Sequence, residues 1–152
     1  MTKIAATEER TLTVPAPIQE VYRFFSDPVL LREATVDVER FERIDEHRAR
    51  WVLTEKVEKG VRFLADYTVE YQGNGSDRVS WRSVAGNLDV TGEAELRPLP
   101  VGGTEIHYRE TVAPDLPIAS LMAKLFKPIV ARELRQDIGR FLTRVAQRLG
   151  AS

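Results

Sequence analysis

Two carboxylates and two phenols of this sequence fall where acid–base or hydrogen-bonding chemistry in an apolar setting becomes feasible. Glu55 sits between Leu53 and Val57 on the apolar row of an alternating segment, and Glu110 continues the row that carries Tyr108. Tyr67 lies on another such row, between Ala65 and Val69. A carboxylate on an apolar row must be paired, lie at a strand end open to water, or keep its proton with a raised pKa. Glu55 and Glu110 therefore read first as groups near strand ends, where the face opens to water; the sharper reading is that Glu55 or a tyrosine hydrogen-bonds the polar head of an otherwise apolar ligand. If the chain does chemistry, Glu55, Tyr67 and Tyr108 are the candidate catalytic residues.

Other chemistries find little support. The 152 residues contain no cysteine, which removes thiolate nucleophiles, Cys-ligated metals and disulfides. The two histidines, His47 and His107, lack metal-ligand spacing and read as surface groups. There is no nucleophile elbow, Walker loop or dinucleotide fingerprint, and Gly73-Asn74-Gly75 reads as a hairpin turn. No metal or cofactor is expected. A net charge of −1 argues against a nucleic-acid partner, and no stretch reads as a signal or membrane span, so a cytoplasmic protein is expected.

The elements that position these groups follow from periodicity. Arg10–Val14 alternates as a short strand and is stopped by Pro15 and Pro17. Ile18, Val21, Tyr22 and Phe25 form the apolar stripe of a short helix, and Asp27-Pro28 caps a second through about Glu33. From Thr35 to Val112 the period becomes two, giving six strands: Thr35–Ile44 (irregular near Arg40-Phe41), Arg48–Val57, Val61–Tyr71, Arg78–Val84, Leu88–Leu96 and Thr104–Val112. One face is apolar and one charged, as in a sheet solvated on one side. Residues from Ile129 to Leu149 recur at three and four, predicting a long amphipathic helix with Pro128 at its first turn, Gly150 as its stop and a short helix before it. One domain over 1–152 accounts for all of this.

Alternation puts Trp51, Leu53, Glu55, Phe63, Ala65 and Tyr67 on the inward face of the first strands, and Trp81, Val90, Gly92, Ile106 and Tyr108 on that of the later ones. Large aromatics punctuated by small residues suggest a lined cavity in place of a solid core. Leu125, Ile129, Val130 and Leu134 of the C-terminal segment would close it.

The order β-αα-β6-α, together with Val14-Pro15-Ala16-Pro17-Ile18-Gln19-Glu20-Val21-Tyr22-Arg23-Phe24-Phe25-Ser26-Asp27-Pro28, resembles the helix-grip fold of the START-like (SRPBCC) superfamily. That superfamily includes Bet v 1-type allergens, polyketide cyclases and dehydrases, and coenzyme-Q-binding proteins. The resemblance implies an α+β architecture in which a seven-stranded curved antiparallel sheet wraps a long C-terminal helix. It also implies a partner that is a small hydrophobic ligand: a lipid, an isoprenoid quinone or an aromatic polyketide-like molecule. The alternatives are a cyclase, aromatase or dehydratase-type enzyme, and an interaction module that recruits a partner through the segment before Pro128. A monomer or weak homodimer is expected.

Charge is unevenly laid out. Residues 118–152 carry seven basic and two acidic side chains, against 15 basic and 21 acidic before them. Salt bridges from helix to sheet are the expected use of this asymmetry, and docking on an anionic membrane surface the less favoured one.

Overall fold

The first long strand shows how sequence becomes layer. In a computed structural model that describes residues 1–150, Ala6–Val14 (β2) alternates half-buried and exposed positions until it ends fully buried at Val14. It follows a two-residue strand, Thr2–Lys3 (β1). Helix α1 (Ile18–Ser26) then buries Val21, Phe24 and Phe25. Helix α2 (Pro28–Ala34) starts where the Asp27 side chain accepts the Val29 N–H at 2.9 Å, with Pro28 at its first turn as the sequence requires.

Eight strands follow: Val38–Arg43 (β3), Arg48–Leu53 (β4), Lys56–Glu58 (β5), Val61–Phe63 (β6), Asp66–Gly73 (β7), Arg78–Gly86 (β8), Leu88–Pro98 (β9) and Thr104–Leu116 (β10). The main sheet is antiparallel throughout, in the order β1-β10-β9-β8-β7-β4-β3, with β2 also paired to β10. The irregularity expected near Arg40 is a register shift between Val38 and Arg40. A second shift lies between Thr68 and Val69, and beside it the pairing with Tyr67 requires Gly86. Its φ is +107°, and a Cβ there would lie 2.2 Å from the Asp66 carbonyl oxygen.

Three expected elements differ. Arg48–Val57 is not one strand: it breaks at Thr54-Glu55, and β5 pairs with β6 as a separate two-stranded hairpin off the sheet. Val61–Tyr71 breaks likewise, between β6 and β7. Strand β10 continues through Pro114 to Leu116, because β1 takes over from β2 as its partner and Ile4 N–H donates to the Pro114 carbonyl.

A single helix, α3 (Ala123–Arg148), covers the apolar face, preceded by a 3-10 turn at Ser120–Met122. Pro128 lies within α3 and not at its start. It stands one turn inside, where the donor it lacks leaves one carbonyl of the first turn unpaired without ending the helix. Gly150, at φ +92°, ends the helix as expected. Phe126, Val130, Leu134, Ile138, Leu142 and Val145 form its buried stripe.

The core consists of two clusters. The larger joins α1, the sheet and the second half of α3; the smaller joins Ile4, Leu116, Ile118, Phe126 and Val130, with Val61 and Phe63 of the hairpin packed on it. This is an α+β helix-grip architecture.

Candidate functional site

A cavity of about 250 Å³ lies between the sheet and α3 and takes walls from both core clusters. It is near the small end of sites for organic ligands, roughly 300–1,000 Å³. Trp51 and Leu53 of β4, Tyr67 of β7 and Ala65 just before β7 stand on its wall. Phe63 from the hairpin, Trp81 from β8, Val90 from β9 and Tyr108 from β10 join them, and Ile129, Val130 and Leu134 of α3 close the space.

Four predicted lining residues stand elsewhere. Glu55 falls in the break between β4 and β5, is exposed, and pairs with Arg62 at 2.8 Å. The break slips the alternation by one residue, so Lys56 and Glu58 turn to the cavity in its place and Val57 is exposed. Leu125 is 45% exposed, because the helix phase that buries Phe126 and Val130 points its predecessor outward. Ile106 is fully buried in the core beyond the cavity. Gly92 touches no cavity surface and acts indirectly.

That indirect action organises the polar end of the site. Trp81, Gly92 and Glu110 are register neighbours across three adjacent strands. Because Gly92 has no side chain, the Trp81 indole lies over it and donates its Nε1–H to Glu110 Oε1 at 2.9 Å, one strand further on. A Cβ at Gly92 would lie 2.4 Å from that indole nitrogen. The Tyr108 ring lies 5.4 Å from that of Trp81 and 5.7 Å from Phe141 of α3.

Glu110 thus lines the cavity from a low-dielectric setting. Burial pushes its pKa up to about 7, the Trp81 hydrogen bond and the Tyr108 hydroxyl hold it back in part, and Asp137 adds a raising contribution. Near neutral pH the group is poised between acid and carboxylate, the condition a general acid or base needs.

The phenols are desolvated too. Burial raises the pKa of Tyr67, Tyr71 and Tyr108 above the ordinary tyrosine value, so all three are neutral donors. Tyr71, not singled out from the sequence, accepts the Trp51 indole N–H at 3.1 Å. Among the described residues Tyr67 has no hydrogen-bond partner for its hydroxyl, which leaves it available to a ligand.

Charged groups line the cavity on the hairpin side. Lys56 Nζ lies 3.0 Å from Glu133 and 3.2 Å from Asp137 of α3. Burial works against the Lys56 charge, yet the two carboxylates keep its pKa above the ordinary value. Arg132 joins Glu58 at 2.5 Å, Arg140 joins Asp37 at 2.6 Å, and Arg148 pairs with Glu33. These contacts tie the cationic helix to the acidic remainder of the chain. His107 faces Glu9 at the outer surface, and His47 is exposed. Among the described residues no helix is long and apolar enough to cross a membrane.

A helix gripped by a curved antiparallel sheet, with a mainly apolar cavity between them, defines the ligand-binding helix-grip class. The chain belongs to the family described as polyketide cyclase / dehydrase and lipid transport, whose model matches residues 5–150. Solved structures agree on the fold. A START superfamily protein from Mycobacterium smegmatis is 11% identical, with a TM-score of 0.71, covering 94% of this chain and 96% of that one. A protein from Thermus thermophilus is 25% identical with a TM-score of 0.65, covering 95% and 96%. The Zhui aromatase/cyclase from Streptomyces sp. R1128 is 17% identical with a TM-score of 0.62, covering 95% and 91%. Among curated proteins no sequence matches the chain.

Proposed function

We propose that this protein binds a small hydrophobic molecule in the cavity, with a hydroxyl or carbonyl of that molecule meeting Glu110 and Tyr67. The family's description points to a lipid or an aromatic polyketide-like compound, and the superfamily resemblance adds an isoprenoid quinone. The observation that carries the reading is the Trp81–Gly92–Glu110 row, which places on the cavity wall a carboxyl group held by an indole and, unlike Glu58, Glu133 and Asp137 on the hairpin side, by no cation among the described residues. Core packing alone gives no reason to bury such a group, whereas orienting a ligand does. Mass spectrometry of molecules extracted from the purified protein, followed by thermal melts with each compound identified, tests the reading. A ligand of the native state raises Tm in proportion to its occupancy. Absence of any Tm rise across lipids, quinones and polyketide aromatics rejects it.

One observation favours a second, enzymatic reading. A carboxyl titrating near pH 7 beside two neutral phenols is suited to the proton transfers of a cyclisation or dehydration. In that reading Glu110 takes the acid–base role that Glu55, paired outside the cavity, cannot reach. Turnover of polyketide aromatics lost in Glu110→Gln and Tyr67→Phe, with binding retained, would establish catalysis; binding without turnover restricts the protein to carriage.

A further inference from the structure

Thr35 and Val36, which join α2 to β3, have the cavity on one side and a second, shallow groove on the other. The groove runs along the outer side of α3. It contains Arg32, Arg135, Arg140 and Arg144, with the amides of Gln136 and Gln147, against one carboxylate, Asp37. In a chain of net charge −1 this is a local excess of cations.

Of the four arginines in the groove, only Arg140 is spent on carboxylates of the described residues. Arg132 and Arg148 of α3 have carboxylate partners, and Arg140 is shared by Asp37 and Asp137. Among the described residues Arg32, Arg135 and Arg144 have none within ion-pair distance. Gly139 leaves part of the groove's floor without a side chain, since a Cβ there would meet nothing nearer than Arg10 at 4.0 Å. Several guanidinium groups lining one groove suit a phosphate or carboxylate, whose oxygens accept paired N–H donors.

We infer that the cavity's ligand is an amphiphile whose apolar body lies against the aromatic wall and whose anionic end crosses Thr35–Val36 into the arginine groove. This rests on the reading of the cavity as a hydrophobic site and adds the charge of the ligand to it. The occupant is a single molecule and not a membrane surface. The groove's only large apolar side chains are Val36 and Val38, while the exposed Leu121 and Leu125, which a bilayer would engage, lie outside it.

Decyl phosphate and decanol, each below its micellar concentration, serve as matched probes in titrations followed by tryptophan emission. Wild-type protein binds decyl phosphate about tenfold or more tightly than decanol. In the double variant Arg32→Gln/Arg144→Gln the two affinities converge to within about threefold, and that for decanol is unchanged. Leu53→Trp, a half-buried position on the cavity wall, weakens both probes if they share the cavity. Equal affinities in wild type, a preference that survives the double variant, or decyl phosphate binding untouched by Leu53→Trp each overturn the inference. So does binding of phosphatidylglycerol vesicles with no affinity for monomeric decyl phosphate. Failure of both probes to bind, even though the variants melt like wild type, overturns the cavity reading beneath it.

Discussion

Glu110→Gln isolates the buried carboxyl group. Below its ordinary pKa of 4.5 the carboxyl is protonated in both folded and unfolded chains, so it contributes no pH dependence. Between 4.5 and about 7 the unfolded chain ionises while the folded one keeps its proton, and the native state loses stability as pH rises. Above about 7 the loss is complete and constant. At about 1.36 kcal/mol per pH unit this interval amounts to about 3 kcal/mol at most, water in the cavity reducing it. Glutamine is nearly isosteric, keeps an oxygen for the Trp81 indole N–H, and does not titrate. The variant therefore gains on wild type by about 3 kcal/mol as pH rises from about 4 to about 8, or about 6–12 °C in Tm for a chain of this length. Thermal unfolding of both proteins, followed by circular dichroism at constant ionic strength, measures the difference; all other titrating groups cancel in it. A Tm difference that stays constant across that range would show that Glu110 does not titrate there, and would sink both its desolvation and its proposed acid–base role.

Other outcomes follow from single contacts. Gly92→Ala places a methyl group 2.4 Å from the Trp81 indole, so the ring must move and Glu110 loses its donor. A destabilisation of about 1–3 kcal/mol is expected in urea melts, together with a further rise in the carboxyl pKa. Lys56→Met removes the two ion pairs that Lys56 makes with α3 and leaves the Glu58–Arg132 pair in place. Because those side chains are part-exposed, stability falls by only about 1 kcal/mol or less, and the effect shrinks at high salt; a larger, salt-independent loss would point to packing. Trp51 and Trp81, the two tryptophans of the chain, both line the cavity. Any ligand that raises Tm should therefore change intrinsic emission, and a Tm rise with unchanged emission would place the ligand elsewhere.

Much of the scaffold was legible because periodicity is a local property. Alternation along Leu88–Leu96 and Ile106–Tyr108, the Asp27-Pro28 restart and the i, i+4 stripe of α3 are each fixed by neighbours a few residues apart. Errors arose where a local pattern met a tertiary constraint. At Thr54-Glu55 the sheet ends and the hairpin swings onto α3, so extending the parity of Trp51 and Leu53 assigned the wrong carboxylate. Pro128 reads as a helix start in sequence, yet packing of Phe126 on Ile4 and Leu116 holds the preceding turn helical. Leu125 and Phe126 are equally apolar in sequence, and only the helix phase distinguishes them.

Composition and spacing alone determined the order of strands and helices, which resembles the helix-grip fold, together with the aromatic-rich apolar face, the lack of cysteine and the opposite charges of the C-terminal segment and the rest of the chain. The tertiary structure decided which polar group matters. Glu55 and Glu110 are alike as residues and alike in their apparent rows, but their pKa values depend on what surrounds them in space. Glu110 is desolvated and held by an indole reaching across a glycine from two strands away, while Glu55 stands in water beside an arginine. Desolvation and cross-strand hydrogen bonding join residues 29 positions apart in the chain, a separation over which sequence periodicity carries no information.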